Sequence, residues 1–319
     1  MPRSLVIGVN GQDGSYLAEA LLRRGHDVIG CGRGETSHYV GPSRGFTYER
    51  VDLRDPDALA ALLRRSEPNN AFHFAAVHGA SGFEYEEVWH EMMAVNVLSL
   101  HVLLEHARLR APAMRVLYAG SAKIFPSPLS GKIDEATPAR ATCLYSIGKM
   151  AARDLICQYR ARHHIAATNL VLFNHESPRR PRGYFLPVIG RAISRAKIDR
   201  SFRTSVKTLD FWIDWSAAEE LMDIVADVAE RCRLPEVILA SGKTWHGRQA
   251  VEELFARDGL DVRDHITETL PRSDPGPEFQ ADIGALVKAV GRRPMRQLGE
   301  IVDELIESFA TEMLPAARN

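Results

Sequence analysis

The sequence predicts an α/β fold in which a doubly wound parallel sheet is covered by helices and a smaller C-terminal domain is attached. Short apolar strand patterns alternate with helical patterns through the first half of the chain. A glycine-rich turn joins the first strand to the first helix, and prolines interrupt the periodicity after residue 173. A chain of 319 residues is long enough for both parts. We expect the first domain to span residues 1–173 and the second, which is interleaved with it, to span residues 174–319.

Each predicted strand is a short apolar run, and the runs lie at residues 4–7, 27–31, 46–51, 71–76, 114–118 and 166–173. Between them, apolar residues at helical spacing predict one helix after Gly14 and another that begins at Pro56. Two longer helices are predicted over residues 86–108 and 145–162. Beyond residue 174, the prolines at 178, 181 and 187 break the regular pattern. Helical patterns return at residues 217–231, 247–256 and 298–309.

Composition and charge exclude several classes of protein. Forty basic residues against 41 acidic ones give a net charge of −1, so no overall field favours nucleic acid or an anionic membrane. No apolar stretch approaches membrane-spanning length, and the N-terminal apolar run is too short for a signal peptide. The four cysteines form no CxxC pair, which favours reduced thiols over a disulfide framework or a metal site. We expect a cytoplasmic protein without a bound metal.

The turn after the first strand carries glycines at Gly8, Gly11 and Gly14, with Gln12 and Asp13 between the last two. In such a turn the backbone N–H groups approach a pyrophosphate at the helix N-terminus. A plain glycine-rich turn is the alternative interpretation, but the flanking strand and helix favour the binding loop. The sequence therefore predicts a Rossmann-type dinucleotide-binding domain.

Arg33 follows the second predicted strand, where an NAD-selective site carries an acidic residue for the ribose 2′-hydroxyl. A guanidinium group instead suits a 2′-phosphate, so the sequence favours NADP. An exposed loop arginine without a ligand is the alternative. Asp52 and Leu53, after the third strand, are expected to lie against the adenine, and Ala75 is expected to line the pyrophosphate pocket.

Tyr145 and Lys149 are four residues apart and therefore share one helix face. An ammonium group beside a phenol favours the phenolate, so Tyr145 can exchange a proton with a substrate hydroxyl near neutral pH. Ser121 follows a predicted strand and can hydrogen-bond the same hydroxyl. Such a trio serves hydride transfer to or from a nicotinamide, whose ribose Lys149 also holds. A lone Tyr-x-x-x-Lys pair is a weak signal, but after the glycine turn it predicts an oxidoreductase.

Asn96 lies in the long helix over residues 86–108. We expect it either to orient Lys149 through its backbone or a water, or to make a polar contact between helices.

Two further stretches are long and specific: GQDGSYLAE at residues 11–19 and FNHESPRR at residues 173–180. With them, the chain resembles the extended short-chain dehydrogenase/reductase family, and within it the GDP-mannose 4,6-dehydratases. The resemblance implies a C-terminal domain that binds a nucleotide sugar, retained NADP, and a homodimer formed through the two long helices. It assigns catalytic roles to Ser121, Tyr145 and Lys149, and a substrate contact to Asn174.

One departure from the family restricts the expected chemistry. The dehydratases carry a glutamate beside the serine or threonine, as the base for the sugar C5 proton, but this chain has Ala122 and Lys123. We expect Lys123 to contact a phosphate or to face solvent. Arg179 and Arg191, in a basic cluster, are expected to bind the diphosphate of the nucleotide sugar.

The leading hypothesis is an NADP-dependent reductase of a 4-keto nucleotide sugar, with a GDP-sugar favoured. A second hypothesis is a 4,6-dehydratase that uses another base, such as Glu176 or His78. A third is a 4-epimerase, which needs no base at C5. An NADP-sensing protein with a vestigial site is a fourth, which the intact trio disfavours.

Overall fold

The computed structural model describes residues 1–80 and 82–313. In chain order, the strands are β1 (Arg3–Ile7), β2 (Asp27–Gly32), β3 (Phe46–Arg50), β4 (Asn70–His73), β5 (Arg115–Ala119), β6 (Gly131–Ile133), β7 (Ala167–Leu172), β8 (Asn174–Glu176), β9 (Thr204–Val206), β10 (Trp212–Ala217), β11 (Glu236–Leu239), β12 (Thr244–His246), β13 (Ile266–Glu268) and β14 (Phe279–Ala281).

The α-helices are α1 (Gln12–Arg23), α2 (Pro56–Ser66), α3 (Trp89–Met93), α4 (Ser99–Leu109), α5 (Leu144–His163), α6 (Phe185–Ile198), α7 (Ala218–Arg231), α8 (Gly247–Arg257), α9 (Val262–His265), α10 (Gly284–Val290) and α11 (Leu298–Met313). A π-helical turn (Ala94–Leu98) joins α3 to α4, and a 3-10 turn (Ala122–Ile124) follows β5.

Within the described residues, seven strands form one parallel sheet in the order β11-β7-β5-β4-β1-β2-β3. The predicted doubly wound α/β sheet is therefore confirmed. The strand order reverses between β1 and β4, and such a switch point opens a crevice at the carboxyl ends of the strands. The glycine turn follows β1 and Ala75 follows β4, so both lie at this crevice.

Alternating residues of β1 bury their side chains on opposite faces of the sheet. Val6 packs into a core with Leu17 of α1, whereas Leu5 and Ile7 pack into a second core with Leu104 of α4. Because both faces of the sheet are buried, such strands are nearly continuous apolar runs, and these runs are what the sequence pattern identified.

The helix α6 corrects the prediction that prolines keep this part of the chain irregular. Pro187 is the third residue of α6 and is buried. In the first turn of a helix a missing N–H costs no hydrogen bond, so proline is tolerated there. The helix buries Leu186, Ile189 and Ile193 in a third core, which includes Trp215.

Part of the C-terminal range returns to the large sheet. The helix α7 packs on α1, and β11 pairs with β7, whereas smaller sheets and a separate core lie around α6 and α11. The domain boundary at residue 173 stays a prediction. Residues 218–239 nevertheless add a helix, α7, and a strand, β11, to the helix layer and the sheet of the first domain. Within the described ranges, no helix is both long and apolar enough to cross a membrane.

Candidate active site

The turn after β1 is built so that only glycine fits. A Cβ atom on Gly8, whose φ is +88°, would lie 2.5 Å from the backbone N of Ala75. A Cβ on Gly14 would lie 2.3 Å from the carbonyl oxygen of Gly8. Gly11 is the N-cap of α1 and offers no side chain to the N–H groups that begin the helix. These N–H groups therefore face the crevice as donors, which fits a dinucleotide pyrophosphate.

The side chains of Gln12 and Asp13 hydrogen-bond residues in and next to β8. Gln12 Nε2 donates to the carbonyl of His175 (3.2 Å), and the Ser177 hydroxyl donates to Gln12 Oε1 (2.9 Å). Asp13 Oδ1 lies 2.9 Å from His175 Nε2. The two sequence stretches that carry the family resemblance thus contact each other, and they fix the glycine turn against β8.

The two hydrogen-bond partners of the His175 ring favour its doubly protonated form. Its Nδ1 lies 2.7 Å from the carbonyl of Phe173 and its Nε2 faces the Asp13 carboxylate, and both partners only accept hydrogen bonds. Burial opposes the charge, but Asp13 outweighs it and raises the pKa of His175. Burial likewise opposes the charge of Asp13, yet His175 and Gln12 lower the pKa of Asp13 to about 2. The pair is a buried ion pair between the cofactor turn and β8.

Arg179 has its donors engaged within the protein. Its guanidinium donates to Glu19 (2.7 Å) and Ser15 (2.9 Å) on α1, and it stacks 3.9 Å from the centre of the Tyr16 ring. The structure therefore gives Arg179 a role in holding the segment after β8 to α1. Arg191 on α6 and Asn174 at the start of β8 are both exposed.

The candidate trio of Ser121, Tyr145 and Lys149 is brought together beside the end of β5. Tyr145 and Lys149 are almost fully buried, and Lys149 Nζ lies 5.5 Å from the centre of the Tyr145 ring. The Ser121 hydroxyl lies close enough to the Tyr145 phenol to affect its pKa, and it accepts from the N–H of Lys123 (3.2 Å), which caps the 3-10 turn. Ser121, Tyr145 and Lys149 thus have the mutual placement that the sequence spacing predicts.

The expected lowering of the phenol pKa is not what the structure shows. Burial raises the pKa of Tyr145, and the nearby Tyr85 adds to this effect, while Ser121 opposes it. Burial also lowers the pKa of Lys149 to about 7. Both shifts favour a protonated phenol, which is the acid that the reduction of a carbonyl requires.

Three aromatic residues surround Tyr145. The spacing of the Tyr-x-x-x-Lys motif gives no indication of them. The His78 ring centre lies 4.9 Å from that of Tyr145, and the Tyr85 ring stacks at 5.6 Å. Tyr184, the residue before α6, shares a hydrogen bond of 2.8 Å with His78 Nδ1. Part of the His78 side chain contacts solvent, but the residues around its ring remove much of its hydration. This desolvation and the positive charge of Arg180 lower the pKa of His78 to about 4. His78 was a candidate from sequence, whereas no local signal pointed to Tyr85 or Tyr184.

Glu176 and Arg180 extend the cluster. Glu176 is 3% exposed, and its Oε2 lies 3.6 Å from Nε of Arg180. Burial raises the pKa of Glu176, although Arg180 opposes the shift. Within the described residues neither of these two atoms has a hydrogen-bond partner. The Arg180 guanidinium stacks 4.0 Å from the Tyr184 ring centre.

Lys123 has no features of a catalytic base. Its side chain is exposed on the 3-10 turn after Ser121. This exposure leaves the ammonium group hydrated and unconstrained by neighbouring side chains of a pocket.

Arg33 follows β2, next to the crevice at the carboxyl ends of the strands. Its side chain is 64% exposed and Nη1 lies 2.8 Å from Oε1 of Glu91. Asp52 is held by Arg54 in a two-pronged ion pair, and Leu53 is buried beside it. A 2′-phosphate would therefore have to draw Arg33 away from Glu91.

Known proteins share both the sequence pattern and the architecture. A sequence model of the family GDP-mannose 4,6 dehydratase matches residues 5–282. The GDP-mannose 4,6 dehydratase 2 of Caenorhabditis elegans is 28% identical over 337 residues, which cover 96% of this chain and 88% of the relative. The GDP-mannose 4,6-dehydratase of Yersinia enterocolitica is 28% identical over 278 residues, or 82% of this chain and 73% of that protein.

Solved structures with lower sequence identity share the fold. A putative epimerase from Burkholderia cenocepacia has a TM-score of 0.81 at 22% identity and covers 97% of this chain and 98% of its own. RMD from Pseudomonas aeruginosa, solved with NADPH, has a TM-score of 0.79 at 18% identity, with 98% and 100% coverage. These likenesses confirm the Rossmann-type α/β fold that the sequence predicts.

Proposed function

Because the chain belongs to the GDP-mannose 4,6 dehydratase family, we propose that it acts on a nucleotide sugar and reduces a 4-keto group with NADPH. The observation that carries this proposal is the buried Tyr145, whose pKa is raised by burial, beside Ser121 and Lys149. The exposed Lys123, at the place of the family's glutamate, argues against elimination of water by the usual base. We propose a GDP-sugar as substrate because the family acts on one.

Each residue of the trio has a defined task in this reaction. The Ser121 hydroxyl donates to the C4 carbonyl oxygen and polarises it. Tyr145 gives its phenol proton to the alkoxide that forms, and the Lys149 ammonium stabilises the phenolate that remains. When bound, NADPH supplies the hydride that reaches C4.

The crevice supports a dinucleotide, and Arg33 supports the phosphorylated form. Gly8, Gly11 and Gly14 leave room for the pyrophosphate, and the N–H groups that begin α1 have no side-chain cap from Gly11. We propose that the Arg33 guanidinium, next to the adenosine of the cofactor, binds the 2′-phosphate. To do so it breaks its ion pair with Glu91 and forms one with the phosphate.

The substrate and assembly are proposals that rest on the family and on exposed residues. Asn174, Arg191 and Lys123 are exposed and are proposed to contact the sugar nucleotide. We also propose a cytoplasmic homodimer formed through α4 and α5, where Leu109 and Ile147 are 60% and 44% exposed.

The direct test supplies a 4-keto-6-deoxy GDP-sugar with NADPH or NADH and follows the loss of reduced nicotinamide. We expect the wild-type protein to oxidise NADPH and Tyr145→Phe to have lost this activity. The variant Lys123→Ala should stay active. If NADPH is stable with 4-keto GDP-, UDP- and dTDP-sugars, the reductase proposal is wrong.

A dehydratase is the second candidate, and His78 is the observation that favours it. Its ring lies 4.9 Å from that of Tyr145, and its pKa of about 4 leaves it neutral, and therefore able to accept a proton, at neutral pH. Incubation of GDP-mannose with NADP would then give a 4-keto-6-deoxy product in the wild type but not in His78→Ala. A 4-epimerase would instead interconvert C4 epimers without net oxidation of NADPH.

A further inference from the structure

Tyr118 is a fully buried residue of β5, three positions before Ser121. Its hydroxyl lies 2.7 Å from the backbone carbonyl of Asn96, and Nζ of Lys149 lies 3.2 Å from the same hydroxyl. A phenol has one proton and a carbonyl can only accept, so Tyr118 donates to Asn96 and accepts from Lys149. The hydroxyl therefore joins the Lys149 ammonium to the helical segment that contains Asn96.

Asn96 is held in place from a second side. It lies in the π-helical turn between α3 and α4, where the N–H of Ser99 reaches the carbonyl of Ala94. Its side chain accepts from the N–H of Val77 (2.8 Å) and donates to the Val77 carbonyl (3.3 Å). A π-turn often marks a functional position in a helix. Asn96 thus holds the backbone of Val77, which precedes His78, and also holds the Tyr118 hydroxyl that contacts Lys149.

The Lys149 ammonium depends on few acceptors. One of its three N–H bonds goes to the carbonyl of Ala119 (2.7 Å) and a second to Tyr118. A buried ammonium stays charged only if acceptors replace the water it has lost. Among the residues that the structure describes, the Tyr118 hydroxyl is therefore one of two fixed acceptors, and the third N–H can serve Tyr145 or a cofactor ribose.

We propose that Tyr118 is a positioning residue of the hydride-transfer site: its hydroxyl, fixed by the Asn96 carbonyl, keeps the Lys149 ammonium charged and aimed at Tyr145. Tyr118 does so without contact to substrate or cofactor, since its side chain is enclosed by the sheet and the helices. The kinetic consequence rests on the proposed function, whereas the effect on Lys149 does not.

The first test needs no substrate. Tyr118→Phe keeps the ring, which packs 5.3 Å from His73, and removes only the hydroxyl. Titration of ¹⁵N-lysine side chains by NMR, with Lys149→Arg to assign the signal, then measures the pKa of Lys149 directly. Loss of a hydrogen bond to a charged group should lower this pKa by about one unit. An unchanged Lys149 pKa in the folded variant overturns the proposal.

Tyr159→Phe is the matched control. It removes a tyrosine hydroxyl of α5 that bonds Glu105 of α4 at 2.6 Å, away from Lys149, and it should leave the Lys149 titration unchanged. If Tyr118→Phe does not fold, 3,5-difluorotyrosine at position 118 preserves the shape and weakens the acceptor oxygen. A smaller downward shift of the Lys149 pKa is then expected, and no shift overturns the proposal.

The second test is the pH dependence of turnover. Because a lower Lys149 pKa discharges the ammonium earlier, the alkaline limb of kcat/KM should move to lower pH in Tyr118→Phe, by about one unit. Above neutral pH, kcat should fall about tenfold while KM stays within about twofold, since Tyr118 contacts no ligand. If the wild type turns over no sugar, the proposed function fails while the lysine titration still decides the role of Tyr118.

Discussion

The ion pair between Asp13 and His175 makes a stability prediction that the structure allows to be worked out. Asp13→Asn keeps the shape of the side chain and removes its charge. The pKa of Asp13 falls from 3.8 to about 2, and its side chain is only 20% exposed. A shift of this size corresponds to about 2 kcal/mol of stability. We therefore expect the free energy of unfolding to fall by about 2 kcal/mol near pH 6.

The pH dependence of this loss gives the sharper check. The depressed pKa of Asp13 stabilises the fold above its unfolded pKa, and this contribution disappears as the pH falls toward about 2. The raised pKa of His175 stabilises the fold below the unfolded value of 6.5, and this contribution is lost as the pH rises through the folded pKa. The difference between wild type and variant should therefore peak between these limits and shrink on both sides.

The assay is urea unfolding of the protein without cofactor, at a series of pH values. Asp303→Asn is the matched control, because it breaks an ion pair with Arg257 in which both side chains are about half exposed. Such a surface pair should contribute little. A destabilisation by Asp13→Asn that does not vary between acidic and alkaline pH would refute the reasoning, because it would show that the charge of the pair is not involved.

Three further predictions concern the cofactor and the assembly. Gly8→Ala should abolish NADPH binding, measured by nicotinamide fluorescence, because its Cβ would strike Ala75 at 2.5 Å; retained affinity would contradict this. Arg33→Ala should weaken NADPH binding about tenfold and change NADH binding little, since only the phosphate pairs with the guanidinium; equal losses would argue against NADP selectivity. Ile147→Lys, on the exposed face of α5, should convert a dimer to a monomer in sedimentation, whereas a change at exposed Leu270 should not.

The local pattern of the sequence was sufficient for the sheet and for the trio. Most strands of the parallel sheet are recognisable as short continuous apolar runs, because both of their faces are buried. Tyr145 and Lys149 share a helix face because they are four residues apart on α5. Ser121 is placed by the end of the preceding strand, β5.

The helix α6 and the strand β11 were not recognisable in the same way. Pro187 breaks a helical pattern in the interior of a helix but not in its first turn, and the pattern alone did not show where the helix begins. The strand β11 has four residues, and it completes the sheet only because β7 offers it a free edge. Short strands depend on their partner more than on their own sequence.

The sequence by itself determined six strands of the parallel sheet, the glycine turn and the shared helix face of Tyr145 and Lys149, because each depends on spacing within one element. Only the tertiary structure decided what surrounds them. Asp13 and His175 meet although they are 162 residues apart, and His78 reaches Tyr145 from the segment after β4. Burial, which no spacing reveals, raises the pKa of Tyr145 and lowers that of Lys149. A pKa depends on every atom that displaces water around a group, so the chemistry of the trio is set by the packing of distant segments.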